Sequence, residues 1–273
     1  MTRPQHGLPG AGRLKGRVLL VTGAASGIGR AIALAAAAEG ARVVVADVDR
    51  EGGERTVTEI IAATGEATFV PCDVADPEQV RTLIGAAVHR FGGLDVLVNN
   101  AGIGGDNAPA HELDLGTWNR ILAVNLRGPF LCAREALPHL MRSGSGVIVN
   151  VASTYGLIGA PHAPAYCASK GGVVNLTRQL AVDYGPRGVR VNAVCPGYVD
   201  TDMGGRRASL PPEETQAAND RREANAARQP IGRQAHADEI ARAAVFLSSS
   251  ESSFMTGSIV TVDGGCTATF NHD

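Results

Sequence analysis

The chain has 273 residues, of which 44% are hydrophobic and 19% charged, enough to bury a full core and unlike a disordered chain. Its 25 basic and 27 acidic residues leave a net charge of −2, without the excess of Lys and Arg that marks a nucleic-acid binder. The five cysteines form no CxxC pair and the longest apolar run, 31–38, is too short to cross a bilayer, so a reduced, soluble, cytoplasmic protein is expected.

Residues 1–14 carry Pro, Gly and basic side chains without an apolar signal core, and read as a flexible N-terminal arm. From residue 15 to 273, short β-branched runs alternate with helical stretches, the pattern of βαβ units in a single domain. Strands are expected at 18–22, 42–47, 67–71, 94–99, 146–151, 189–195 and 258–262. Most are near-continuous apolar runs, as in strands buried on both faces. The fold class is therefore α/β: a doubly wound, Rossmann-type parallel sheet of about seven strands with helices on both faces. Asp76, Pro77 and Gln79 mark a helix start, with Asp76 as cap, Pro77 in the first turn and Gln79 closing a capping box. One segment, about 198–235, breaks the rhythm. It is polar, holds Gly204-Gly205 and Pro211-Pro212, and is expected to act as a substrate lid. Its acids and arginines balance, so it does not specify an anionic substrate.

The first strand runs directly into the sequence TGAASGIG at 22–29 and then an alanine-rich helix starting near Gly27. Glycines let a backbone turn tightly against a pyrophosphate, whose charge is favoured by the free N–H groups at a helix start. Gly23, Ser26, Gly27, Ile28 and Gly29 are thus candidate cofactor contacts. Asp47, at the end of the second strand, lies where a carboxylate meets an adenine ribose. It would accept from the ribose hydroxyls and repel a 2′-phosphate, which points to NAD over NADP; Ser26 and Val48 beside it bring no positive charge. A plain helix-capping role, or Asp49 in its place, is the alternative.

Further along, Tyr166 and Lys170 stand four apart on an expected helix, which puts both side chains on one face. An adjacent ammonium lowers a phenol's pKa from its ordinary value near ~10, so Tyr166 is expected to exchange a proton with an alcohol or ketone. Ser153 follows the fifth strand at the carboxyl edge, where it can orient the substrate oxygen. Tyr155 is the competing phenol, without a lysine four residues on. Asn125 precedes Pro129 by four residues; proline has no N–H, so the Asn125 carbonyl loses its ordinary helical partner. His162 lies near the site in sequence, but no second ligand at suitable spacing accompanies it, and no metal is expected.

The TGxxxGxG loop, Asp73-Val74, Asn99-Asn100-Ala101-Gly102, Asn125, Ser153, Tyr166 with Lys170, and Pro196-Gly197 followed by Thr201 resemble, in order, the short-chain dehydrogenase/reductase family. The resemblance spans about 15–265. It implies that Asp73 and Val74 contact the adenine, that Asn100 and Gly102 line the ribose path, and that Pro196, Gly197, Val199 and Thr201 form the nicotinamide end. It implies a Ser153, Tyr166 and Lys170 triad, with Asn125 holding a water that links Lys170 to solvent. It also implies a homotetramer built on the long helices around Asn125 and Tyr166. The expected activity is NAD-dependent hydride transfer between the cofactor and a secondary alcohol or ketone. An NADP-dependent carbonyl or acyl-thioester reductase, or a catalytically silent NAD sensor, are the alternatives. Ile103, Thr154, Leu157, Tyr198 and Met203 are the expected determinants of the substrate, whose identity the sequence leaves open.

Overall fold

Alternate residues of the first strand enter opposite cores: Leu19 and Val21 pack with one set of helices, Val18 and Leu20 with another. This is the side-chain period of a strand buried on both faces. The computed structural model describes residues 12–201, 211–227 and 229–269. Seven parallel strands lie in the order β3-β2-β1-β4-β5-β6-β7. They are β1 (Val18–Thr22), β2 (Arg42–Asp47), β3 (Glu66–Pro71), β4 (Val96–Asn99), β5 (Val147–Val151), β6 (Arg190–Pro196) and β7 (Ile259–Val262). Each overlaps its expected strand and differs by at most two residues at an end. The order reverses between β1 and β4, whose carboxyl ends flank the crevice in which ligands of open parallel sheets bind.

One face of the sheet carries α1 (Gly27–Ala38), α2 (Arg50–Ala62) and α8 (Ala237–Ser248), through Ile32, Ile60 and Ile240. The other carries α3 (Pro77–Phe91) and α5 (Gly128–Arg142), through Leu83, Ile84, Leu137 and Leu140. α4 (Leu115–Leu122) leads into the α5 region, α6 (Pro164–Tyr184) packs Val173 and Val174 against β6, and α7 (Pro212–Ala226) lies within the expected lid. Among the described residues no helix is long and apolar enough to cross a membrane.

Local chemistry explains the element ends. Asp76 caps α3 by accepting from the amides of Glu78 and Gln79, and Gly92 ends it in the left-handed region at φ +82°. The expected capping box is altered: the Gln79 side chain accepts from the amide of Asp73, not of Asp76, and so ties the β3–α3 turn to the helix. Asn125 lies in a π-helical turn, Ala123–Arg127, where a helix with an interrupted hydrogen-bond ladder was expected. The amide of Gly128 there reaches back to the carbonyl of Ala123, one residue further than an α-helix allows. Just beyond it sits Pro129, with no N–H to continue an α-type ladder.

The sequence assigns residues 12–14 to an N-terminal arm, and the structure packs them instead. Leu14 is fully buried, and Arg13 pairs with Glu39 at 2.6 Å, so residues 12–14 belong to the packed body. Residues 1–11 lie outside the described residues, as do Met203, Gly204 and Gly205.

Candidate active site

The glycine loop is fixed by contacts that leave no room for side chains. A Cβ at Gly29 would meet the Gly23 carbonyl oxygen at 2.1 Å, and one at Gly23 would meet Ala101 Cα at 2.7 Å. Gly23 and Gly27 also adopt φ of +66° and +54°, which glycine reaches without steric cost. Asn100 clamps the loop to β4 by donating to the carbonyls of Thr22 and Gly23, while Thr22 Oγ1 accepts from the amides of Asn100 and Ala101. Ser26 caps the start of α1 without a side-chain bond, and the first turn holds no acid. The helix therefore presents amides and a free hydroxyl to the crevice. Ile28 is half-buried behind them. These residues fit a pyrophosphate.

Asp47 and Asp49 separate cleanly. Asp49 is the cap of α2, accepting from Gly52. Asp47 ends β2, with one carboxylate oxygen accepting from Ala25 and the other from Asp49. Val48 beside it is 70% exposed, leaving an open surface at the mouth. After the neighbouring strand β3, Asp73 makes an Asx turn to the amide of Ala75. Val74 turns its side chain into the core, where a Cβ on Gly128 would meet it at 2.8 Å. Its backbone alone is left to face an adenine.

At the other end, Pro196 pairs with Val262, and Gly197 fits so tightly that a Cβ would meet Gln229 Oε1 at 2.5 Å. Val199 is buried and bridges to Ala235. Thr201 reaches the glycine loop, lying 3.3 Å from where a Cβ on Gly27 would be. The segment after β6 thus returns to the glycine loop that follows β1.

Between these ends stand Ser153, Tyr166 and Lys170. Ser153 follows β5, and its hydroxyl lies where it lowers the pKa of the Tyr166 phenol. Lys170 lies one helical turn on from Tyr166, with Nζ 5.8 Å from the ring centroid and donating to the Val151 carbonyl at 2.9 Å. The ammonium is 4% exposed, and burial pulls its pKa down to about 8. The phenol moves the other way from the sequence expectation. Burial pushes Tyr166 up to about 12 and outweighs the opposing bond from Ser153. The lysine alone therefore does not acidify this phenol.

Asn125 is fully buried and its amide is used completely as a donor, to the Ile103 carbonyl at 2.8 Å and to Ser169 Oγ at 3.3 Å. Its oxygen accepts from the amide of Ile103. A Cβ on Gly102 would lie 3.4 Å from that oxygen and 3.5 Å from Lys170 Nζ, which places Asn125, Gly102 and Lys170 together. Tyr155 is not a competing base. Its hydroxyl is bonded to Tyr198 at 2.8 Å, its ring packs edge-on against Tyr166, and burial drives its pKa upward. His162 is exposed in a loop, at φ +55°. Among the described residues no three His, Cys, Asp or Glu gather as metal ligands would.

Two residues escaped the sequence reading. Gln229 is buried and accepts from the amide of Tyr198, joining the stretch after α7 to the segment that follows β6. Asp106 is a buried carboxylate that accepts from the amide of Tyr166 at 2.7 Å. Each partner is 31 or 60 residues away, so neither pairing has a local signature; an acid in the glycine-rich stretch after β4 was the one available hint for Asp106.

Residues 23–267 match a family model described as enoyl-(acyl carrier protein) reductase. The chain is 48% identical over 252 residues to the cis-4-hydroxycyclohexanecarboxylate dehydrogenase of Sinomonas cyclohexanicum, covering 92% of this chain and 97% of that one. Its fold is similar to the crystal structure of levodione reductase, at a TM-score of 0.88, 37% identity and 94% and 100% coverage. It is also similar to a protein of Beutenbergia cavernae described as an NAD(P)-dependent gluconate 5-dehydrogenase, with NADP bound at low occupancy. That likeness has a TM-score of 0.85 at 40% identity, with 94% and 98% coverage.

Proposed function

The chain belongs to the short-chain dehydrogenase/reductase family and is an oxidoreductase of CH–OH groups with a nicotinamide cofactor; from that premise we propose an NAD-dependent dehydrogenase of secondary alcohols, with Tyr166 as its general acid and base. The observation that carries this reading is the buried Lys170 ammonium beside the Tyr166 ring, with Ser153 acting on the same phenol.

Gly23, Ser26, Gly27, Ile28 and Gly29 hold the pyrophosphate, and Asp47 and Val48 border the adenine ribose. Asp73 and the backbone of Val74 meet the adenine, Asn100 and Gly102 line the ribose path, and Pro196, Gly197, Val199 and Thr201 take the nicotinamide end. Bound NAD supplies the hydride acceptor and a positive ring whose charge favours the phenolate. In oxidation the alcohol proton passes to Tyr166 Oη as hydride leaves the carbon; in reduction Tyr166 returns it. Ser153 orients the substrate oxygen. Lys170 steadies the charge on the phenolate, and a water on the Asn125 carbonyl completes the path to solvent. Asp47 favours NAD, since its carboxylate repels a 2′-phosphate.

The substrate wall comprises Ile103, Thr154, Tyr155, Leu157 and Tyr198, to which Met203 is added from sequence. With a hydroxycyclohexane as the substrate named for one relative, the proposed class is a hydroxyl on a saturated ring. Ring alcohols and acyclic secondary alcohols assayed with NAD and with NADP test this; oxidation of none, or faster turnover with NADP, rejects it.

The segment 198–235 acts as a lid. Arg222 on α7 donates to the Val199 carbonyl at 2.7 Å, and Gln229 holds Tyr198, so α7 is fastened to the nicotinamide end at both sides. Hydrogen exchange in α7 should slow when NAD and substrate bind together; unchanged exchange refutes the lid.

A further inference from the structure

The catalytic helix has no cap of its own. Ala163 precedes α6 and has no side chain that can bond the first-turn amides, although a helix start leaves several of them without partners. One of these, the amide of Tyr166, donates to Asp106 Oδ2 at 2.7 Å. Asp106 lies in the loop after β4 and is 4% exposed. A carboxylate at a helix start satisfies the amide and meets the positive end of the helix dipole.

The same loop is held one turn earlier. Asn125 both donates to and accepts from the backbone of Ile103, and its second N–H reaches Ser169 Oγ, which in turn donates to the Tyr166 carbonyl. Tyr166 is therefore gripped at its amide by Asp106 and at its carbonyl through Ser169 and Asn125.

We propose that Asp106 is a positioning residue for the reaction: it fastens the substrate-side loop 103–108 to the first turn of α6 at the amide of the catalytic tyrosine. This rests on the reading of Tyr166 as acid and base. Asp106 also places negative charge near the phenol and raises its pKa, as Cys167 does, while Ser153 opposes them. Lys170 and the edge of Tyr155 are the remaining groups that face the ring. The clamp thus has two separable effects, one geometric and one electrostatic.

Two substitutions separate them. Asp106→Asn keeps an oxygen that accepts from the amide and removes the charge, whereas Asp106→Ala removes both. Asp106→Ala should lower kcat by roughly 10- to 100-fold, as displaced catalytic groups do, and should speed hydrogen exchange in 103–108 and 164–168. Asp106→Asn should keep kcat within about threefold, keep slow exchange, and move the rising limb of the oxidation pH profile to lower pH, because a like charge has gone. The exchange readout needs no substrate, so it stands even if no alcohol is turned over; loss of all wild-type turnover with NAD would count against the assigned reaction and not against the clamp. Wild-type exchange in Asp106→Ala overturns the proposal, as does an Asn variant as fast-exchanging as the Ala variant. An unmoved pH limb in Asp106→Asn overturns its electrostatic half.

Discussion

The carboxylate of Asp47 accepts the amide of Ala25 at 2.9 Å, so the acid that ends β2 is held in place by the phosphate loop itself. On the proposed role of Asp47, cofactor choice and loop shape are coupled. Asp47→Ser should lower kcat/KM with NAD by roughly 10- to 100-fold while raising that with NADP, since a repelling charge is lost. It should also lower stability by about 1 kcal/mol, the usual worth of one such hydrogen bond. Paired cofactor kinetics and a thermal melt check this. An unchanged NAD to NADP ratio contradicts it.

The two buried catalytic groups set the pH dependence. Burial pushes the Tyr166 phenol up to about 12 and pulls the Lys170 ammonium down to about 8. Oxidation needs the phenolate, so kcat/KM for an alcohol should rise with pH through neutrality. It should flatten above about pH 8, where Lys170 loses the charge that supports the phenolate. Reduction needs the neutral phenol and should stay level over the same range. A level oxidation profile contradicts these assignments.

Gly29 is a purely steric prediction. A Cβ there would meet the Gly23 carbonyl oxygen at 2.1 Å and Asn100 Nδ2 at 2.4 Å. Backbone cannot retreat as a flexible side chain does, so Gly29→Ala should open the loop, cost roughly 1–3 kcal/mol, and weaken NAD binding by more than about tenfold. Calorimetric titration with NAD reads the change, and wild-type affinity contradicts the steric account.

α5 and α6 leave Phe130 and Val182 exposed, at 47% and 72%. The homotetramer implied by the family places such helices against a partner subunit. Light scattering at low protein concentration should give about four times the chain mass. A monomer rejects that assembly.

What the sequence made legible follows from the range of each interaction. Strand positions could be read because near-continuous apolar, β-branched runs are local, as in Val18 to Thr22. The glycine loop was legible because its spacing is local: Gly29 packs on the carbonyl of Gly23 within one seven-residue turn, although Gly23 is also held against Ala101. Asp76 and Pro77 likewise announce α3. The π-turn at Asn125 was half visible, because Pro129 shows that an N–H is missing and not how the backbone accommodates it. Asp106 and Gln229 act across 60 and 31 residues, and no local pattern marks such pairs. The phenol's pKa was misjudged because spacing reveals Lys170 and says nothing of burial, which is the larger effect at Tyr166.

The central claim is that one phenol carries the proton while the rest of the crevice holds the cofactor. Tyr166→Phe removes a single oxygen and leaves Lys170 on the Val151 carbonyl. Steady-state turnover and NAD affinity measured on the same preparation test it most directly. Turnover should fall by roughly 100- to 10,000-fold with NAD affinity nearly unchanged. Retained turnover would contradict the account.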